Sequence, residues 1–169
     1  MKSKKNSTPV KTIINKMTHP FFAEYHDYSY IESHDVTKIV VVEENKSKYI
    51  LCNDSNKEVI IYRIDGGLIK QKKEGDNKCD YGIYTEDELL ILVELKGCDF
   101  QKAVTQILNT TKLLGIKKGS NKVKRLLARV VLSRGRSVPN LRSRDKTELD
   151  IILKSFSGNI LSKTDIQFY

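Results

Sequence analysis

The chain has 169 residues, 39% hydrophobic and 30% charged, which excludes a disordered chain and suits one domain with a single sizeable core. Lys and Arg number 30 against 21 Asp and Glu, a formal charge of +9 that fits a polyanionic partner such as nucleic acid, although a generic basic surface gives the same sum. The three cysteines, Cys52, Cys79 and Cys98, form no Cys-x-x-Cys pair near His19, His26 or His34, no stretch approaches the ~18–20 apolar residues that cross a bilayer, and no apolar run follows the basic Met1–Lys5. The expectation is a cytoplasmic protein in a reducing compartment, with no structural zinc and no membrane partner.

In chain order, residues 1–18 mix Lys, Asn, Ser and Thr and read as a flexible tail, with a short helix conceivable over Val10 to Met17. Residues 19–169 are expected to form the domain. His19 to Tyr30 is rich in aromatics, which either cap the core with wet hydroxyls or stack on bases. The β-branched run Lys38 to Val42 predicts a strand, and Lys48 to Cys52 and Glu58 to Ile64 predict two more, separated by the turn residues Asn53 to Lys57. Asp65-Gly66-Gly67 marks a tight turn, and Leu68-Ile69 a short further strand. The linker Lys70 to Asn77, with Lys70, Lys72, Lys73 and then Lys78, reads as a solvated loop or as a basic flank to a cleft.

Asp80 to Tyr84 is a short strand, Thr85 to Glu88 a polar turn, and Leu89 to Val93 a dense aliphatic run expected to be buried on both faces. The run ends in Glu94-Leu95-Lys96. Pairing Thr85 with Leu89 sets Asp80 opposite Glu94, and strand alternation points Glu94 and Lys96 the same way as Leu90 and Leu92. Two carboxylates and one lysine thereby gather at the end of an apolar hairpin, where burial is costly without a compensating ion or partner. Asp99 then caps a predicted helix from Phe100 to Leu114, whose buried stripe is Ala103, Val104, Ile107, Leu108, Thr111 and Leu114, and Gly115 stops it. Leu126 to Ser133 is a buried strand, parallel to the one before the helix. Basic residues follow in two groups, Lys117, Lys118 and Lys122 before this strand and Arg134, Arg136, Arg142 and Arg144 after it. Both are assigned as nucleic-acid contacts, the arginines suiting bidentate phosphate binding. A helix capped by Ser143 or Asp145 runs to about Phe156, with Leu149, Ile152, Leu153 and Phe156 buried, and Asn159 to Phe168 closes the chain as an edge strand.

On Asp80 and Glu94-Leu95-Lys96, with Arg63-Ile64-Asp65-Gly66-Gly67, Lys78-Cys79-Asp80-Tyr81 and Ala103 to Gln106 around them, the chain resembles the PD-(D/E)XK nuclease superfamily, in particular small uncharacterised bacterial members. The resemblance runs from about Val59 to Gly115, and Cys79 stands where the family often has proline. It implies an α/β, restriction-endonuclease-like mixed sheet core flanked by helices, in a single domain. It also implies a Mg2+ site, with Mn2+ able to substitute, formed by Asp80, Glu94 and the Leu95 carbonyl. Lys96 and Gln106 would join the two carboxylates as catalytic residues. Hydrolysis of phosphodiesters, DNA before RNA, is the implied activity, in restriction or defence against mobile elements. A homodimer or larger complex is a further implication. Two carboxylates beside it are expected to favour the charged form of Lys96, so electrostatic stabilisation suits it better than general base catalysis. Glu24, Glu32, Glu43, Glu44 and Asp65 are candidates for a further carboxylate. The competing reading is a non-catalytic or partner-dependent nucleic-acid-binding subunit with a nuclease fold.

Overall fold

The computed structural model describes residues 20–44, 47–70, 77–97, 99–120, 122–132 and 142–163, with main chain alone at 96, 97 and 163. Its elements are α1 (Pro20–Glu24), β1 (Ile31–Asp35), β2 (Ile39–Glu44), β3 (Ser47–Cys52), β4 (Val59–Arg63), β5 (Tyr81–Thr85), β6 (Leu89–Gly97), α2 (Phe100–Leu113), β7 (Arg125–Leu132), α3 (Arg144–Ser155) and β8 (Ile160–Lys163). The fold is mixed α/β. Six strands make an open sheet in the order β1-β4-β5-β6-β7-β8, antiparallel from β1 to β6 and parallel from β6 to β8. β2 and β3 form a separate hairpin.

Alternation along the strands divides the core in two. Ile60, Tyr62, Tyr84, Leu90, Leu92, Leu126 and Ala128 face the helices, meeting Phe21 of α1, Val104 and Ile107 of α2 and Leu149 and Leu153 of α3. Ile61, Ile83, Ile91, Val93 and Leu127 face the other way, onto Val40, Val42, Tyr49 and Leu51 of the β2–β3 hairpin. The central strands are apolar at nearly every position because both of their faces are covered. Parallel β6 and β7 require a crossover, and α2 supplies it.

The helix ends follow the expected capping chemistry. Asp99 Oδ1 accepts from the Lys102 N–H at 3.2 Å, and Ser143 Oγ accepts from the Lys146 N–H at 3.2 Å. Gly115 takes φ +61° just past α2, where the Gly115 and Ile116 N–H groups return to the Lys112 and Thr111 carbonyls.

Several expectations are corrected. Of the two readings of the aromatic segment, packing on the core holds, with Phe21 and Phe22 buried in it, but they sit on a helical turn, α1, where none was expected. β1 follows it as an edge strand where none was expected, and Leu68-Ile69 makes only an isolated bridge between Asp65 and Ile69. Lys78 is buried and not part of a solvated linker. Residues 1–18, Lys72, Lys73 and the end of the final strand after 163 lie outside the described residues.

Candidate functional site

Tyr81 pairs with Val93 and Tyr84 with Leu90, so continuing the register by one residue sets Asp80 opposite Glu94 at the open end of the hairpin. A main-chain hydrogen bond ties the two strands there: the Leu95 N–H donates to Asp80 Oδ2 at 2.8 Å. Asp80 is 6% exposed and Glu94 3%. Both lie on the helix-facing side, since Glu94 shares the parity of Leu90 and Leu92, and Ile64, whose N–H donates to the Asp80 carbonyl at 2.9 Å, belongs to that core. Immediately after Glu94 the pairing with β7 slips: Glu94 matches Val130, but Gly97 matches Leu132. Three steps on β6 thus span two on β7, a bulge of the kind that re-aims side chains at strand ends. Lys96 sits inside that irregular stretch, and its side chain lies outside the described atoms.

The approach to Asp80 is pinned to α2 by three consecutive bonds. Asn109 Nδ2 donates to the Asn77 carbonyl at 3.4 Å, Gln106 Nε2 to the Lys78 carbonyl at 2.9 Å, and the Cys79 N–H donates to Thr110 Oγ1 at 3.0 Å. The Gln106 amide thus holds the main chain two residues before the carboxylate. Burial pushes the Cys79 thiol well above its ordinary range, and the Glu94 and Asp80 charges add to that effect.

On the opposite face at the same edge, Arg63 Nη1 donates to Tyr81 Oη at 2.5 Å, and the guanidinium lies 3.8 Å from Glu32 and 3.6 Å from Glu44. Burial works against its charge, but Tyr81, Glu44, Glu32 and Asp80 together raise its pKa. Of the carboxylates considered for a further ligand, Glu32 and Glu44 are thus held by Arg63. Glu43 pairs with Lys48 at 3.0 Å, Glu24 with Lys122 at 2.8 Å, and Asp65 is exposed.

The basic residues separate by position. β7 runs parallel to β6, so the loop carrying Lys117, Lys118 and Lys122 enters it beside Leu89, at the edge of the sheet opposite Glu94. Lys122 Nζ is engaged there by Glu24 Oε1 and the Leu114 carbonyl, at 2.8 and 2.9 Å, with the Tyr25 ring beneath it. The structure does not bring these lysines to the carboxylates. β7 ends at Leu132 on the Glu94 edge, and α3 begins on that edge too, because Asp145 Oδ2 accepts from Thr105 Oγ1 of α2 at 2.6 Å. Arg142 and Arg144, both exposed, flank that helix start, while Arg134 and Arg136 lie outside the described residues.

One feature had no signal in the sequence, namely Lys78, which is 2% exposed two residues before Asp80. Among the described residues no group of three or more His, Cys, Asp or Glu could hold a metal ion. The donor set here is of another kind, two buried carboxylates on adjoining strands beside the main chain of Leu95, and hard oxygens of this type fit Mg2+ or Mn2+. Among the described residues no helix is long and apolar enough to cross a membrane. Comparisons with family models, with curated proteins and with solved structures gave no match.

Proposed function

We propose that this protein is a metal-dependent nuclease with a restriction-endonuclease-like core, hydrolysing phosphodiester bonds of nucleic acid, DNA before RNA. The observation that carries the reading is the register-opposed, buried Asp80 and Glu94 pair, with the Leu95 N–H holding Asp80 in place. The pair also stands at the carboxyl ends of the parallel strands, the edge where ligands of open α/β sheets gather. Two helices, α2 and α3, begin at that edge, and N–H-rich helix ends of this kind suit the phosphates of a substrate.

Asp80 and Glu94 would hold Mg2+, with the Leu95 carbonyl as a third oxygen. When bound, the ion supplies Lewis-acid polarisation of the phosphate and a more acidic water. The chain's own residues do the rest. The Leu95 N–H orients Asp80, Gln106 and Thr110 fix the main chain that carries it, and Lys96 stabilises charge on the phosphorane-like transition state. Arg142 and Arg144 take the substrate backbone by phosphate contacts, which position a nucleic acid without reading its sequence.

Incubating the protein with plasmid, linear duplex, single-stranded DNA and RNA in Mg2+, Mn2+ or EDTA tests this reading. Metal-dependent cutting is expected, and the preferred polymer names the substrate. Salt-dependent binding without cutting in any metal would instead establish the non-catalytic or partner-dependent binding subunit.

A further inference from the structure

Lys78 is 2% exposed, and the described residues of its segment are tied down on the helix-facing side of the sheet by Asn109, Gln106 and Thr110. An ammonium carried out of water at that depth is tolerated only beside an anion. Three acids are comparably buried among the described residues. Glu58 accepts from His34 at 2.6 Å next to Val59, at the far edge of the sheet. The other two are Asp80, two residues along the chain, and Glu94, register-opposed to it on the same face.

We propose that Lys78 is a built-in counter-cation of Asp80 and Glu94, a positioning residue that holds the two carboxylates together and competes with a divalent cation for them. The second half of this statement rests on the metal-site reading of the pair; the first half does not. With Lys78 in place, two negative charges at the strand ends are reduced to one, so the pair stays packed before any ion arrives. The same attraction weakens the hold on the ion, because a cation entering the site meets a like charge already there. A site balanced this way releases metal readily, and its metal-free form is a folded protein with no local collapse to reverse.

Two measurements on the full chain separate the halves. The first is urea unfolding in EDTA of wild type, Lys78→Met, Glu94→Gln, Asp80→Asn and the two double variants. Lys78→Met is expected to lower the midpoint, and the shift is expected to shrink by roughly half or more when either acid is neutralised. Equal shifts in all backgrounds would overturn the pairing. Failure of Lys78→Met to fold, rescued by Glu94→Gln, is the same result in stronger form; failure relieved by neither acid substitution counts against it. The second measurement is Mn2+ binding by calorimetry. Lys78→Met is expected to bind about tenfold more tightly than wild type, and Lys78→Arg close to wild type. Unchanged affinity in Lys78→Met would overturn the competition. Coupling in EDTA with no Mn2+ bound by wild type would remove the metal-site reading and leave the counter-cation standing.

Discussion

The Leu95 N–H donates to Asp80 Oδ2 at 2.8 Å, so the strand carrying Glu94 also orients the carboxylate that faces it. A buried main-chain donor deprived of its acceptor costs ~1–3 kcal/mol. Asp80→Ala is therefore expected to lower unfolding free energy by about that much, and Asp80→Asn, which keeps an oxygen for Leu95, by less. Urea unfolding of both variants in EDTA checks this, and equal losses would mean that the bond contributes nothing.

Gln106 and Thr110 act at one remove, on the main chain that delivers Asp80. Gln106→Ala leaves the Lys78 carbonyl without its donor, at about 1 kcal/mol. Mn2+ affinity is expected to fall with it, since a loosened Asp80 pays more to be ordered. Calorimetry beside urea unfolding distinguishes this from a change in stability alone.

Burial raises the Cys79 thiol, with Glu94 and Asp80 adding, and burial likewise raises the Tyr62 and Tyr84 phenols. Above about pH 8.5 the unfolded thiol loses its proton while the folded one keeps it. The unfolded state then binds fewer protons, and stability falls by up to about 1.4 kcal/mol per pH unit. Cys79→Ala should flatten the fall between about pH 8.5 and 10, where the phenols begin to contribute. Peptide mapping after thiol labelling of the folded protein is expected to show Cys79 unmodified.

Arg142 and Arg144 stand at the Glu94 edge, and Lys117 and Lys118 at the opposite one. Replacing the two arginines by alanine should reduce the salt dependence of DNA binding, with the slope of log K against log salt falling by about 0.9 for each phosphate no longer neutralised. Replacing the two lysines should leave that slope in place. Fluorescence anisotropy across a salt series measures both.

Much of this was legible in the chain. The polar Thr85 to Glu88 turn and the aliphatic run after it set the β5–β6 register, and with it the placement of Asp80 against Glu94. Asp99, Gly115 and Ser143 mark helix ends by local chemistry, and their helices lie where they indicate. β1 was not legible, because Ile31-Glu32-Ser33-His34-Asp35 carries one aliphatic residue and depends on its pairing with β4. Alternation predicts the direction of Lys96 only through a regular strand, and β6 slips against β7 between Glu94 and Gly97. Lys78 resembles its basic neighbours in sequence. Its segment is tied to Gln106 and Thr110 of α2, about thirty residues away, and no local pattern marks its burial.

The most direct test of the account is cleavage by wild type, Asp80→Asn, Glu94→Gln and Lys96→Met, prepared identically and assayed with Mg2+, Mn2+ or EDTA on the polymer that wild type cuts best. Cutting that requires metal and is lost in all three variants, while each remains folded and binds the polymer, is the predicted result. Equal cutting by wild type and the variants would contradict the assignment and place the activity elsewhere.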